Sequence, residues 1–86
     1  MSDILVVVGS ITSATRLVKR LEKYGDSSAK VINTPSKLGG SGCSYSVRAR
    51  LSSENFIRNN MYGISIKKIY IEDRTGKERI YHDISR

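Results

Sequence analysis

The sequence predicts a small α+β domain in which two helices cover one face of an antiparallel sheet. A continuous apolar run opens the chain, and apolar residues then recur at helical spacing. Short alternating segments follow, separated by Gly, Ser and Asn. With 86 residues the chain is long enough for one domain, 1–86, with one modest hydrophobic core.

The first two predicted elements are a strand and a helix. Ile4–Val8 is an unbroken apolar run rich in β-branched residues, which is typical of a central strand covered on both faces. A hydroxyl at Thr12 or Ser13 is placed to cap the helix. Gly25 suits the left-handed turn that ends a helix, so we expect the helix to end near Tyr24.

This helix carries two stripes. Its expected buried stripe consists of five residues at helical spacing: Ala14, Leu17, Val18, Leu21 and Tyr24. Its second stripe is basic: Arg16, Lys19, Arg20 and Lys23. We interpret the basic stripe as a solvated face, and the alternative is a docking surface for an acidic partner.

Two further strands flank a Gly- and Ser-rich loop. Lys30–Thr34 is a short strand that Pro35 ends, because proline has no N–H to donate to a ladder. Tyr45–Leu51 then alternates with the period of a half-buried strand. Its expected inward residues are Tyr45, Val47, Ala49 and Leu51, and its expected outward residues are Ser46, Arg48 and Arg50.

The C-terminal half predicts a weak helix and a hairpin. Ser52 or Ser53 is placed to cap the helix, which should end near Gly63. Its apolar side is Phe56, Ile57, Met61 and Ile64. A strand at about Lys68–Glu72 and a returning strand at Glu78–Ile84 form a hairpin over about 68–84. The element order predicts a ferredoxin-like βαββαβ fold with an added C-terminal strand.

Composition narrows the functional classes. Fifteen Lys and Arg against eight Asp and Glu give a net charge of +7, which favours acidic protein surfaces, nucleic acid or phosphorylated ligands. No apolar run reaches the roughly 18 residues of a membrane span, and the N-terminus does not resemble a secretory signal. We therefore expect a cytoplasmic protein without a membrane partner. One Cys and one His predict neither an internal disulfide, nor a metal site, nor a cofactor.

The most distinctive segment is the loop that ends at the only cysteine, Cys43. Its glycines can fold backbone N–H groups into a concavity, which would stabilise a thiolate. The candidate loop residues are Pro35, Lys37, Gly39, Gly40, Ser41, Gly42 and Ser44. Lys37, Arg48 and Arg50 are the cations that would lower the pKa of the thiol or stabilise an anion if they converge on it. A buried Cys packed as a small hydrophobe is the equal alternative. A P-loop is not indicated, because no Lys-Ser/Thr follows the glycines.

A series of residues then carries a family resemblance: Ile4–Val8, Thr12, Ala14, Leu21, Gly25, Thr34, Pro35, Ser41, Cys43, Val47 and Arg48. Over about residues 3–72 the chain resembles a family of small bacterial domains described as selenium/sulfur carrier-like proteins. Lys68-Ile69-Tyr70 is similar to the last strand of that family. The chain departs from the family pattern in having Ser44 after the cysteine, where Gly is usual, and in adding a hairpin from Asp73 onward.

The resemblance implies that Cys43 carries a chalcogen as a persulfide or selenosulfide. Pro35 and the glycines would shape the loop, and Lys37, Arg48 and Arg50 would meet an anionic donor or an acidic enzyme surface. The partner would be a sulfur or selenium donor or acceptor protein. Such a protein is a carrier or accessory rather than a stand-alone enzyme. We treat His82 as a surface residue, although a Cys-His pair is also chemically consistent.

Two other functional classes stay open. One is a non-catalytic interaction or assembly module, in which the extra C-terminal strand pairs with another chain or forms a homodimer. The other is a nucleic-acid-binding domain that uses the sheet surface. We rank the interaction module ahead, because no strand carries a Lys/Arg-Gly-Phe/Tyr-Gly-like signature.

Overall fold

A computed structural model of the chain describes residues 2–38, 44–60 and 62–85. Its strands and helices are β1 (Ser2–Val8), α1 (Ile11–Tyr24), β2 (Lys30–Asn33), β3 (Tyr45–Arg50), α2 (Glu54–Asn59), β4 (Ile66–Thr75) and β5 (Glu78–Asp83). Two short 3-10 turns lie at Ser36–Leu38 and Leu51–Ser53. Among the described residues no helix is long and apolar enough to span a bilayer.

The strands form one antiparallel sheet in the order β2-β3-β1-β4-β5. The central strand is β1, which pairs with β3 on one side and β4 on the other. This position agrees with its unbroken apolar sequence, because such a strand is covered on both faces. The sheet edges are β2 and β5. The prediction of an α+β domain with an antiparallel sheet and two helices is confirmed.

The hydrophobic core lies on the face of the sheet that the helices cover. Ile4, Val6 and Val8 of β1 point to this face and are almost fully buried. They pack with Val47 and Ala49 of β3, Ile69 of β4, Ala14, Leu17 and Leu21 of α1, and Ile57 of α2. Both helices therefore contact the same cluster, and we call this side the helix-covered face.

The cap of helix α1 lies two or three residues before the predicted ones. The hydroxyl of Ser10 accepts the backbone N–H of Ser13 at 3.1 Å, so Ser10 is the cap and the prediction of Thr12 or Ser13 is wrong. The hydroxyl of Ser13 instead accepts the N–H of Ser65 at 3.0 Å, which ties the helix to the segment before β4. The end at Gly25 is confirmed, since its φ of 118° is left-handed.

The two stripes of α1 are only partly as predicted. Ala14, Leu17 and Leu21 are buried, whereas Tyr24 is 54% exposed and covers only one side of its ring by stacking on Phe56, with centroids 4.2 Å apart. In the basic stripe, two of the four cations are structural. Arg16 donates to the carbonyl of Gly63 at 3.2 Å, and Arg20 donates to the carbonyl of Asn60 at 2.7 Å.

Helix α2 is shorter than predicted and ends at Asn59 instead of near Gly63. The side-chain amides of Asn59 and Asn60 donate to the carbonyls of Asn55 and Phe56, each at 2.8 Å. Such local bonds compete with helix propagation. Met61, which we expected on the apolar side of this helix, lies outside the described residues.

The junction between β3 and α2 also corrects two predictions. Ser53 precedes α2 without capping it, because its hydroxyl donates to Asp26 at 2.7 Å. Leu51 lies in the 3-10 turn, is 37% exposed and does not extend the buried face of β3. Ser46, expected to point outward, does leave the helix-covered face but is fully buried.

The C-terminal hairpin is present, with a longer first strand than predicted and a second strand that ends one residue earlier, at Asp83. β4 extends to Thr75, which pairs with Glu78, so Gly76 and Lys77 alone form the turn. Gly76 has a φ of 68°, which a residue with a side chain adopts only with strain. The predicted turn at Asp73–Lys77 is therefore too long, and Asp73 belongs to the β4–β5 ladder.

Candidate functional site

The loop that carries the thiol is closed at its base by hydrogen bonds. The N–H of Thr34 donates to the carbonyl of Ser44 at 3.0 Å, which extends the β2–β3 ladder by one pair. The hydroxyl oxygen of Thr34 lies 2.9 Å from that of Ser44 and 2.7 Å from that of Ser46. Since Cys43 directly precedes Ser44 in the sequence, the thiol-bearing residue is attached to a fixed base.

The first residues of the loop form a tight turn. Pro35 ends β2 as predicted, and its carbonyl accepts the N–H of Leu38 at 3.0 Å. The turn presents Ser36 and Lys37 as exposed side chains. Five candidate residues, Gly39, Gly40, Ser41, Gly42 and Cys43, lie outside the described residues. Their predicted roles stay predictions.

The turn after β2 meets the C-terminal hairpin, although β2 and β5 are opposite edges of the sheet. Pro35, Ser36 and Lys37 form one wall of a cleft of about 420 Å³. The other wall consists of Lys77, Glu78, Arg79 and Tyr81. We call this space the loop–hairpin cleft. Three cations and one carboxylate line it, so its potential is positive.

A buried carboxylate lies beside the cleft, on the sheet face that carries no helix. The Glu72 side chain is 0% exposed and accepts two bonds from Arg48, at 2.9 and 3.0 Å. The hydroxyl of Tyr81 donates to it at 2.9 Å, and Arg79 approaches within 3.6 Å. This helix-free face therefore holds an ion network that joins β3, β4 and β5.

The pKa values in this network shift in opposite directions. Burial alone would raise the pKa of Glu72, but the bonds from Arg48 and Tyr81 outweigh it and the pKa is lowered. The pKa of Tyr81 is raised, first by burial and then by its bond to the Glu72 carboxylate. At neutral pH the network is therefore a carboxylate held by a guanidinium and a protonated phenol.

The predicted cations Lys37, Arg48 and Arg50 lie in three different surroundings. Lys37 lines the loop–hairpin cleft, whereas Arg48 is paired with Glu72 beside it and is only 19% exposed. Arg50 lies at the far end of β3, roughly 17 Å from Tyr45 at about 3.4 Å per residue. It is 60% exposed, and its Nε lies 3.8 Å from Asp26.

Asp26 organises that far end. One carboxylate oxygen accepts the N–H and hydroxyl of Ser28, and the other accepts the N–H of Arg50 and the hydroxyl of Ser53. Burial would raise the pKa of Asp26, but these hydrogen bonds lower it overall. Asp26 thus joins the α1–β2 connection to the β3–α2 connection, a structural role that the sequence did not reveal.

Sequence reasoning missed the contribution of the hairpin to the site. Lys77, Arg79 and Tyr81 line the cleft, and Glu72 anchors Arg48, whereas the sequence had suggested only an added hairpin or an edge that pairs with another chain. The one signal available was the density of charge around the predicted turn. His82 is exposed, as predicted for a surface residue. Among the described residues no group of three His, Cys, Asp or Glu could hold a metal ion.

The fold and the loop define a class of protein: a small α+β domain whose single cysteine ends a Gly-rich loop. A model of the family described as "Putative Se/S carrier protein-like" matches residues 3–71. The chain therefore belongs to the Se/S carrier protein-like family, and the resemblance inferred over about 3–72 is confirmed. The match includes Cys43 and ends just before Glu72. No curated protein and no solved structure matches the chain.

Proposed function

We propose that the protein carries sulfur or selenium on the thiol of Cys43. The observation that carries this proposal is the family match over residues 3–71, which contains the only cysteine of the chain. A carrier needs one thiol that accepts the chalcogen and no second thiol that resolves the adduct into an internal disulfide. One cysteine meets both needs.

The transfer is an exchange that needs no external oxidant. The thiolate of Cys43 attacks the terminal sulfur of a donor protein's persulfide. A new S–S bond forms as the donor's S–S bond breaks, and the donor cysteine leaves as a thiolate. Terminal selenium transfers in the same way and gives a selenosulfide. The product then passes its chalcogen to an acceptor by a second exchange.

The surroundings of the loop support roles for the described candidates. Pro35 and Ser44 hold the two ends of the loop, and Lys37 adds positive charge where the loop begins. Arg48 would act indirectly, since Glu72 already neutralises and orients it. Arg50 lies at the far end of β3, so its role would be to meet the surface of a partner. The glycines and Ser41 would give the loop its shape.

The partner that suits this chain is an acidic donor or acceptor protein in the cytoplasm. A net charge of +7 accelerates encounter with an acidic surface. A carrier depends on such encounters, because it must bind a donor and release to an acceptor. Loading should therefore slow as the salt concentration rises.

We also assign β1–β4 and the two helices to the ferredoxin-like arrangement. Two observations support this assignment. β1 and β2 both run antiparallel to β3, which lies between them, as in a split βαβ unit. Residues of α1 and α2 pack into one core cluster on one side of the sheet. β5 is then the added strand.

The test is persulfide loading from a cysteine desulfurase with cysteine as the sulfur source, followed by intact mass. We expect the wild type to gain the mass of one sulfur and Cys43→Ser to gain none. The proposal requires an accessible thiol, so we expect Cys43→Ser to change the free energy of unfolding by less than about 0.5 kcal/mol.

A matched control moves the thiol away from the loop. Cys43→Ser combined with Glu22→Cys places one thiol on the exposed face of α1. This variant should load at least about tenfold more slowly than the wild type, because a thiolate in the last turn of α1 lies at the negative end of the helix dipole and lacks the N–H groups expected of the Gly-rich loop. Equal loading of the two single-thiol proteins, or unfolding of Cys43→Ser alone, would refute the proposal.

A further inference from the structure

We propose that the loop–hairpin cleft is a binding site for a small oxyanion of the phosphate class. This goes beyond chalcogen carriage, because binding requires neither the thiol nor a bound chalcogen. The residues that form the site are Lys37 and Ser36 on one wall and Lys77, Arg79 and Tyr81 on the other. All of them lie in the described part of the chain.

The shape of the cleft suits a small ligand. Its volume of about 420 Å³ falls within the range of roughly 300–1,000 Å³ that small-molecule sites occupy. Its two walls come from segments distant in sequence, the turn after β2 and the tip of the β4–β5 hairpin. Tyr81 is held in place by its hydrogen bond to Glu72, so one wall is already ordered.

The charges around the cleft are unevenly compensated. On the helix-free face, Glu72 accepts both bonds of Arg48 and lies 3.6 Å from Arg79. Arg74 is paired with Asp3 at 2.8 Å. Within residues 2–38, 44–60 and 62–85, in contrast, no ion-pair partner lies within reach of Lys37 or Lys77.

Two uncompensated ammonium groups on opposite walls repel each other across a concave space. A divalent anion between them removes this repulsion and accepts charge-assisted hydrogen bonds from both sides. Arg79 supplies a third cation, and the exposed hydroxyl of Ser36 supplies a neutral donor. The single lining carboxylate, Glu78, leaves the lining residues with an excess of positive charge.

The test uses the Cys43→Ser protein, so that thiol chemistry plays no part, and inorganic phosphate as the probe. Amide NMR signals are followed during titration with potassium phosphate, against potassium chloride at equal ionic strength. We expect saturable shifts at Ser36, Lys37, Lys77 and Tyr81. The double variant Lys37→Ala/Lys77→Ala should weaken phosphate binding by about tenfold or more, since it removes two charged donors.

The matched control removes two exposed lysines from α1, Lys19→Ala/Lys23→Ala, and should leave the phosphate affinity within about twofold. Shifts that do not saturate, or that spread over α1, would overturn the proposal. So would tighter binding of a short glutamate peptide than of phosphate at the same signals, because the cleft would then recognise a protein carboxylate.

Failure of this inference and failure of chalcogen carriage are distinguishable. Wild-type protein that loads persulfide in phosphate-free buffer, while Cys43→Ser binds no phosphate, would leave carriage intact and refute the oxyanion site. Saturable phosphate binding by a protein that never loads would support the oxyanion site alone.

Discussion

The helix-covered face and the helix-free face of the sheet are built from alternate residues of the same strands. On the covered face Ile4, Val6 and Val8 pack against apolar side chains of both helices. On the other face Leu5 is just as buried, but its cross-strand neighbours are Arg48 and Tyr70. Two residues further along β4 from Tyr70, on the same face as Arg48, the fully buried Glu72 holds the ion network.

The comparison shows two ways in which the faces of a small sheet are covered and held together. Apolar packing is non-directional and gives most of the stability. A buried ion network has to overcome the desolvation of its charges, so its net contribution to stability is small, but its geometry is specific. The loop–hairpin cleft lies on the side with the specific geometry, where Tyr81 belongs to both the network and the cleft.

The largest loss of stability should come from removing a core side chain on the helix-covered face. Leu17→Ala removes a fully buried side chain from the core cluster, and we expect a loss of about 3 kcal/mol in the free energy of unfolding. Urea denaturation followed by circular dichroism measures it. Glu22→Ala on the exposed side of α1 is the control, with a change below about 0.5 kcal/mol. A loss below about 1 kcal/mol for Leu17→Ala would contradict the core assignment.

A smaller effect should come from breaking the network. Glu72→Gln leaves Arg48 without a charged partner and should cost about 2 kcal/mol of stability. The double variant Arg48→Met/Glu72→Leu replaces the pair by apolar side chains and should recover more than half of that loss. Urea denaturation of the wild type and both variants measures the two changes. If the double variant is no more stable than Glu72→Gln, the network contributes net stability as well as a specific geometry.

Acid should weaken the Glu72 network and the hydrogen bonds of Asp26 while leaving apolar packing alone. Glu72 and Asp26 have pKa values in the folded protein below their ordinary values of 4.5 and 3.8. Their contribution is therefore present above about pH 5 and is lost as the pH falls through the lowered pKa values. We expect the urea midpoint to be constant from pH 7 to pH 5 and to fall by pH 3.

The Glu72→Gln protein should show a shallower fall in the urea midpoint between pH 5 and pH 3, since one of the carboxyl groups with a lowered pKa is gone. The Asp26→Asn protein should likewise be shallower. Parallel curves for wild type and both variants would assign the acid sensitivity to other groups.

The smallest effect should come from trimming one hydrogen bond. Tyr81→Phe removes the donor to Glu72 and should cost about 1 kcal/mol of stability, because one bond to a buried carboxylate is lost. The control is Tyr62→Phe, whose side chain is 90% exposed and which should have no measurable effect. Equal urea midpoints for Tyr81→Phe and wild type would mean that the phenol does not support the network.

Local sequence patterns predicted the covered face well. The apolar run of β1 and the helical spacing of Ala14, Leu17 and Leu21 each correspond to a single periodicity, and both elements lie where expected. Errors arose where side chains bond to the backbone nearby. Ser10, Asn59 and Asn60 set helix ends in this way, and several residues of the same types lie close by in the sequence.

Local sequence patterns could not predict the contacts on the helix-free face. Glu72 lies in an alternating strand, where a carboxylate is expected to be exposed, and its burial depends on Arg48 and Tyr81 from two other strands. The cleft depends on contact between the turn after β2 and the hairpin, and no local signal reports a contact between opposite sheet edges. The family resemblance located the thiol loop but ends just before Glu72.

The hairpin after residue 71 has a consequence for colloidal behaviour. β4 carries Ile66, Ile69 and Ile71, and β5 occupies the edge of β4 that would otherwise present unpaired backbone groups. β5 in turn has the sequence ERIYHD, in which charged side chains flank the apolar ones. Charged side chains on an outer strand discourage intermolecular β-pairing and amyloid-like stacking, so we expect the hairpin to protect the edge of β4 from aggregation.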